Sequence, residues 1–350
     1  MTTTANGLIE NHRPAIVLEG QNVSIGYHHK KQDVVVHHDL NFRLYEGELT
    51  CLLGANGSGK STLLRTLSAI QPILSGDIRL IEKPLSNYSE KERSRTIGVV
   101  LTEKTQTGGL TVNELVSLGR QPHTGFFGRL NQTDKAIIRH AIEAVGIPHL
   151  SQSYMAELSD GERQKAFIAK ALVQECPLIL LDEPTAFLDV VSRIEIMTLL
   201  RKLAIEEKKA ILLSTHDIDQ ALLLADRLWL LRPQEGLTCG VTEDLILSHH
   251  LENLFPTSTI CFDKLHGVFT PRPTYSRTIL LEAASEELHH WSENALNRIG
   301  YACVRREDRP VDCSLAFLQV VSAQEIHLTQ SDNENHLFDS FEKLLAFLTH

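Results

Sequence analysis

Long apolar runs are missing from this sequence. The longest, residues 221–231, is interrupted by Asp226 and Arg227 and is too short to cross a bilayer. The first residues also lack the basic segment and the apolar core of a secretory signal peptide. We therefore expect a chain without a transmembrane segment, which meets a membrane only peripherally, through a partner protein.

Cysteine is scarce, and basic residues are outnumbered. No two of the six cysteines form a C-x-x-C pair, which argues against a zinc ribbon or a disulfide framework and favours a reducing compartment; they lie at positions 51, 176, 239, 261, 303 and 313. The net charge of −10 argues against a surface built to bind nucleic acid. With 350 residues, of which 42% are hydrophobic, the chain can form two domains or one large one.

A glycine-rich motif organises what is present. It has the P-loop pattern G-x-x-x-x-G-K-S and runs through Gly54, Ala55, Asn56, Gly57, Ser58, Gly59, Lys60, Ser61 and Thr62. Apolar residues 49–53 predict a strand before it, and residues 62–67 predict a helix after it. In such a loop backbone N–H groups hold phosphates, Lys60 reaches the β- and γ-phosphates, and Ser61 binds Mg²⁺. A glycine-rich turn without a ligand would not explain the Lys-Ser pair.

Acidic side chains and a histidine follow two further predicted strands. The apolar run 177–181 ends in Asp182 and Glu183, and the run 210–213 leads to His216. Ligands bind at the carboxyl ends of strands in parallel sheets. Asp182 therefore suits a direct or water-mediated contact with Mg²⁺, and Glu183 suits activation of an attacking water. His216 is a candidate sensor of the γ-phosphate, although a single histidine is more often structural.

Two more features can be read from the sequence. Ser159 and Glu162 form a capping box, which predicts a helix to about residue 174. By itself the box indicates only a well-capped helix. Tyr27 ends a predicted strand, where an aromatic ring either stacks on a base or covers core.

The remaining pattern predicts the organisation of the chain. Residues 1–13 read as a loose tail, and residues 14–257 as an α/β domain with a helical insertion at about 104–157. Short strands are predicted at 15–18, 23–25, 34–36 and 40–44, and a turn at 76–77. Residues 258–350 predict a small α+β domain, with strands at 278–282, 301–305 and 315–321 and helices after Ser285 and at 338–348. The histidines at 266, 289 and 290 are more simply solvated side chains than metal ligands, because they lack ligand spacing.

The order and spacing of these motifs resemble the ATP-binding subunits of ABC transporters. The similarity spans about residues 15–245 and comprises the P-loop, the signature at 158–162, the run 178–183, the segment 186–189 and His216. It implies the α/β P-loop NTPase fold of ABC type with a helical subdomain, followed by the small α+β domain. A narrower similarity, at 114–130, is to importers of iron–siderophore, haem and cobalamin complexes.

The resemblance implies a role for each matching residue of the nucleotide site. Tyr27 stacks on adenine, and residues 54–62 hold the phosphates. Asp182 binds Mg²⁺, Glu183 is the catalytic base, and His216 contacts the γ-phosphate. ATP and Mg²⁺ are the implied cofactors.

The resemblance also implies partners. Asp189 would lie at the seam of a homodimer, in which Ser159 and Gly161 cap the γ-phosphate of ATP held by a second subunit. Two transmembrane permease subunits and, indirectly, a substrate-binding protein would place the chain at the cytoplasmic face of the cell membrane. The alternative is a soluble ABC ATPase that clamps nucleic acid or the ribosome, which the single cassette and the acidic balance disfavour. A sensor role for residues 258–350 is compatible with the importer.

Three residues depart from the family pattern. Asp160 and Glu162 stand in the signature where glycine and glutamine are usual, and Glu103 stands where the loop before the insertion usually has glutamine. Glu162 is accounted for by its capping bond, whereas Asp160 has no explanation in the sequence. Glu103 offers a carboxylate oxygen to Mg²⁺, or is a solvated loop residue.

Overall fold

A computed structural model describes most of the chain. The described residues are 14–28, 33–101, 109–125, 128–233, 235–255, 257–272, 274–305, 315–330, 332 and 334–349. Those up to 257, together with 262–269, form one compact unit, and those at 258–261 and from 270 onward form a second. This division is compatible with the predicted boundary near residue 258, which stays a prediction until a truncation tests it.

The first unit alternates strands and helices. Its strands are β1 (Ile16–Tyr27), β2 (Val34–Tyr45), β3 (Leu49–Leu53), β4 (Ser75–Leu80), β5 (Lys83–Pro84), β6 (Ile97–Val100), β7 (Leu178–Asp182), β8 (Ala210–Ser214), β9 (Arg227–Arg232) and β10 (Gly236–Val241). Its α-helices are α1 (Lys60–Leu67), α2 (Glu90–Ser94), α3 (Val112–Leu118), α4 (Gln132–Ala144), α5 (Asp160–Leu172), α6 (Val190–Glu206), α7 (Ile218–Leu224) and α8 (Thr242–Leu247). Two further strands follow, β11 (Ile260–Asp263) and β12 (Val268–Pro271).

A six-stranded sheet runs through the first unit. Its order is β10-β9-β3-β8-β7-β6, and every neighbouring pair except β10 and β9 is parallel. All residues of β3 and β8 are buried, as expected of parallel strands that are covered on both faces. The parallel arrangement brings the carboxyl ends of β3, β7 and β8 to one edge of the sheet. The P-loop follows the first of these ends, so the candidate site lies at this edge.

A second sheet, of order β2-β1-β4-β5, is antiparallel and differs from the sequence prediction in detail. Four short strands are predicted at its start, but the structure has two strands of 12 residues each. Shifts of register in the pairing of β1 with β2 let both strands continue across the predicted breaks. The turn predicted at Gly76 is wrong, since this residue lies inside β4. Gly76 has a φ of 90°, and a Cβ atom there would lie 2.3 Å from the carbonyl oxygen of Asn22. Glycine therefore marks a close strand approach here.

The helical insertion is built from well-capped helices. α3, α4 and α5 each begin with a capping box, at Thr111, Asn131 and Ser159 respectively. Their buried faces join one hydrophobic core, to which Leu115 and Ile138 belong. The predicted insertion thus contains the helices α3 and α4, and the signature helix α5 follows it and ends at Leu172, two residues before its predicted end. Among the described residues, no helix has both the length and the apolar character to cross a membrane.

The second unit is a small α+β fold. Its elements are β13 (Arg277–Ala283), α9 (Glu286–Arg298), β14 (Tyr301–Arg305), β15 (Ala316–Ser322), β16 (Glu325–Thr329), β17 (Asn335–Phe338) and α10 (Phe341–Thr349). The sheet order is β14-β13-β15-β16-β17, with β13 parallel to both of its neighbours. The prediction of one helix from Phe338 is wrong, because this residue ends β17 and the helix begins at Phe341. The strands β16 and β17 had not been predicted.

Candidate nucleotide-binding site

The P-loop joins β3 to α1 by a backbone path that requires glycine at two positions. Gly59 directly precedes α1 with a φ of 97°, which other residues adopt only with strain. A Cβ atom at Gly54 would lie 2.6 Å from Ser58 Oγ and 2.5 Å from the carbonyl oxygen of Leu231. The loop is therefore closely packed. It leads into a helix N-terminus whose first N–H groups have no partner within the helix and suit an anion.

The ammonium group of Lys60 is held by the backbone of the same loop. Its Nζ donates hydrogen bonds to the carbonyl oxygens of Gly54, at 2.8 Å, and Ala55, at 3.2 Å. Burial lowers the pKa of Lys60, while the negative charges of Glu183 and Asp182 raise it. A partly desolvated ammonium that is held by neutral carbonyl groups is complementary to a phosphate.

Asp182 brings hydroxyl groups from two other elements to the end of β7. Ser214 Oγ, at the end of β8, donates to Asp182 Oδ1 at 2.6 Å, and Ser61 Oγ in α1 lies 3.4 Å from the same oxygen. Carboxylate and hydroxyl oxygens are ligands that Mg²⁺ prefers, so these side chains fit that ion. In the described part of the chain, no three His, Cys, Asp or Glu side chains are grouped as metal ligands. An ion here would complete its coordination with phosphate and water oxygens.

Glu183 and His216 are paired beside this cluster. Nε2 of His216 lies 2.9 Å from Glu183 Oε1, and both side chains are partly exposed. The backbone N–H of Glu183 donates to Ser214, both to Oγ at 2.9 Å and to the carbonyl oxygen at 3.1 Å. These bonds hold Glu183 at a φ of 47°, which is uncommon for a residue with a side chain and costs free energy. The carboxylate is thus fixed at the sheet edge, where it can orient a water molecule.

Tyr27 is attached to the first turn of α1. Its hydroxyl group and Thr62 Oγ1 share a hydrogen bond of 2.9 Å. The residue is 42% exposed, so it does not serve mainly to cover core. It lines an open cleft together with Arg65 and Pro72. An exposed ring held at the phosphate-binding helix is placed to stack on a base.

The signature residues lie at the start of α5, where hydrogen bonds within that helix and packing against α6 hold them. Ser159 Oγ accepts from the N–H of Glu162, and the N–H of Ser159 donates to Glu162 Oε2 at 2.9 Å. The hydrogen bonds that the hydroxyl group and the N–H of Ser159 donate to the Glu162 carboxylate lower the pKa of Glu162. A Cβ atom at Gly161 would lie 3.0 Å from Ser192 Oγ, so α5 and α6 pack closely there. Asp189 caps α6 by accepting from the N–H of Ser192 at 2.8 Å, which lowers its pKa.

The structure supplies the explanation for Asp160 that the sequence lacked. Its Oδ1 accepts a hydrogen bond of 2.7 Å from the guanidinium group of Arg163, one helical turn later. Both departures in the signature are therefore engaged within α5, Asp160 by this ion pair and Glu162 by the capping box. Glu103, the third departure, lies outside the described residues.

Several residues of the site had not been predicted. Ser214 contacts both Asp182 and Glu183. Its place at the end of a predicted apolar strand is the sequence signal that could have identified it. Asp217, the residue after His216, accepts hydrogen bonds from Thr185 and from Arg193. It thereby connects the segment after β8 to the loop after Glu183. His37, in β2, contacts the carbonyl oxygen of Ser58 and has no signal in the sequence.

Comparisons with known proteins point to one family. A family model for ABC transporters matches residues 37–186, and a model for the iron ABC transporter C-terminal domain matches residues 276–349. An uncharacterised ABC transporter ATP-binding protein of Methanocaldococcus jannaschii is 37% identical over 253 residues, which cover 72% of this chain and 86% of that protein. The ferric enterobactin transport ATP-binding protein FepC of Escherichia coli is 34% identical, covering 70% and 89% respectively. The iron(3+)-hydroxamate import ATP-binding protein FhuC of Bacillus subtilis is 40% identical, covering 58% and 74%.

Solved structures show the same fold. One is cbiO1 from Clostridium perfringens, part of the ABC transporter complex cbiONQ, with a TM-score of 0.59 and 29% identity over 67% of this chain and 92% of that one. Another is a dimeric ATP-binding cassette in a post-hydrolysis state with bound ADP and Pi, with a TM-score of 0.55 and 25% identity over 64% and 98%. The expected fold, ATP as ligand and the ATPase class are confirmed. This chain belongs to the ATP-binding subunits of ABC transporters.

Proposed function

We propose that this chain hydrolyses ATP to drive an importer of iron–chelate complexes of the siderophore type. The observation that carries the proposal is the match of the second unit to the iron ABC transporter C-terminal domain. Two relatives support it, since their names assign them to ferric enterobactin and to iron(3+)-hydroxamate. The partners we propose are two transmembrane permease subunits, at the cytoplasmic face of the membrane, and a substrate-binding protein that acts through them.

The contacts at the sheet edge support a division of roles in hydrolysis. Lys60 supplies a positive charge at the β- and γ-phosphates, while the N–H groups of the P-loop fix the phosphate chain. Glu183 orients the attacking water and accepts its proton, and His216 holds the carboxylate and contacts the γ-phosphate. Ser61 and Asp182 would hold Mg²⁺, which neutralises phosphate charge when it is bound.

We propose further that two copies of this chain enclose ATP. The P-loop of one copy would face Ser159 and Gly161 of the other, whose helix N-terminus favours an anion. The pairing of Asp160 with Arg163 supports this role, because it offsets a negative charge beside the phosphates. Exposed apolar side chains flank Asp189 at the proposed seam: Phe187 is 84% exposed, Val190 67% and Val191 66%. A patch of this kind is typical of an interface.

Transport of a labelled substrate tests the iron assignment. A strain that lacks the gene is complemented with the wild-type chain or with the Glu183→Gln variant. Uptake is then measured separately for siderophores loaded with ⁵⁵Fe, for labelled haem and for labelled cobalamin. We expect wild type to restore uptake of a ferric siderophore and the variant to restore none. Restored uptake of haem or cobalamin alone would contradict the siderophore assignment. Full uptake with the variant would contradict the proposed role of Glu183.

A further inference from the structure

His37 is buried beside the P-loop and contacts its backbone. The side chain belongs to β2 and only 5% of the residue is exposed. Its Nε2 lies 2.6 Å from the carbonyl oxygen of Ser58. A carbonyl oxygen only accepts hydrogen bonds, so Nε2 must carry the proton and donate it. This contact joins residues 21 positions apart and fixes the tautomer of the ring.

The same ring packs against the next residue of the loop. A Cβ atom at Gly59 would lie 3.2 Å from His37 Cδ2 and 2.8 Å from Val36 Cγ1. β2 therefore packs against the loop at Gly59, which has a φ of 97° and directly precedes α1. Ser58 also packs closely against Gly54, since its Oγ lies 2.6 Å from the position that a Cβ atom of Gly54 would take.

We propose that His37 is a positioning residue for phosphate binding. In a planar trans peptide the C=O and the following N–H point in opposite directions. With the carbonyl oxygen of Ser58 held by His37 on the β2 side, the N–H of Gly59 points away from β2. P-loops bind the phosphate chain with backbone N–H groups, and this orientation makes the N–H of Gly59 available for that contact. The inference rests on the proposed binding of ATP by this loop.

The hydrogen bond can be separated from the packing of the ring by two variants of similar shape. Glutamine places an N–H₂ group near the position of the histidine Nε2, and methionine has nearly the same length without a donor. We expect His37→Gln to bind ADP within about twofold of wild type. His37→Met should bind it about tenfold more weakly, which is the scale of one buried hydrogen bond. Isothermal titration measures both affinities, with thermal unfolding to confirm that each variant is folded.

Three further measurements separate positioning from a structural effect. Adenosine has no phosphate, so its binding, followed by ligand-detected NMR, should be the same in wild type and both variants. His38→Met changes the adjacent histidine, whose side chain is 73% exposed, and should leave the affinity for ADP unchanged. ¹⁵N-histidine NMR of the full chain should show the Nε2–H tautomer at His37.

The proposal fails if His37→Gln and His37→Met bind ADP equally well, or if the methionine variant loses adenosine and ADP in the same proportion. It also fails if the Nδ1–H tautomer is found. A wild-type chain that did not bind ADP at all would instead contradict ATP binding at the P-loop, so the two failures are distinguishable.

Discussion

Replacing Glu183 with glutamine should separate ATP binding from hydrolysis. The carboxylate lies 2.9 Å from Nε2 of His216, and the backbone N–H of Glu183 donates to Oγ and to the carbonyl oxygen of Ser214. A glutamine amide keeps this geometry, because its oxygen still accepts from the imidazole. It cannot take a proton from water, so only the chemical step is affected.

The magnitude follows from the role proposed for the carboxylate. A positioned general base contributes about 10²- to 10⁴-fold to a rate, which corresponds to about 3–5 kcal/mol in the activation free energy. The P-loop contacts that bind phosphate do not involve Glu183, so we expect the affinity for ATP to stay within about threefold of wild type, a change below 1 kcal/mol. The ATP-bound variant should therefore accumulate as a dimer.

The assay combines phosphate release with size-exclusion chromatography in the presence of ATP and Mg²⁺. A matched control adds Phe187→Asp to the same variant, which places a charge in the exposed apolar patch and should prevent the dimer without affecting ATP binding. Turnover within tenfold of wild type would refute the assignment of Glu183 as the base. A Glu183→Gln variant that binds ATP but stays monomeric would refute the enclosure of ATP between two copies.

Four other changes have defined outcomes. Lys60→Ala should abolish productive ATP binding, since it removes the cation at the phosphates; normal ATPase activity would overturn the site. A chain that ends at residue 269 should stay folded and bind ATP, as it keeps the first unit whole; insolubility would place the domain boundary elsewhere. Glu103→Gln should keep most ATPase activity, whereas Glu103→Ala should weaken its Mg²⁺ dependence in the assembled complex; a titration curve identical to that of wild type would return Glu103 to the solvated surface. Arg120→Met should lower the free energy of unfolding by about 3 kcal/mol in urea, because it leaves the buried Asp134 carboxylate without its cation at 3.0 Å; a change below about 1 kcal/mol would contradict this.

Local signals in the sequence determined the catalytic elements. The P-loop was predicted because its glycines, lysine and serine stand between an apolar strand and a helix, all within residues 49–67. The signature helix was predicted because a capping box is complete within four residues, Ser159 to Glu162. The pairing of Asp160 with Arg163 was equally local and could have been inferred from its spacing of one helical turn.

The C-terminal unit shows where local patterns failed. Phe338 continues the helical spacing of apolar residues towards α10, and this favoured one long helix. Strand pairing decides otherwise, since Phe338 lies opposite Ile326 in the sheet. The strands β16 and β17 are five and four residues long, and β16 was missed although residues 325–329 alternate polar and apolar side chains as a half-buried strand does.

Only the tertiary structure decided which distant residues meet at the loop. Ser214 reaches Asp182 because β8 lies beside β7, and that order of strands is not encoded in either segment alone. His37 reaches the carbonyl oxygen of Ser58 because the antiparallel sheet packs against the P-loop. The sequence determined the chemistry through residues that are neighbours in the chain. Packing determined which distant residues hold the catalytic ones in place. Burial and strand order act between segments that are far apart in the chain, and a local sequence pattern does not show which of these segments meet.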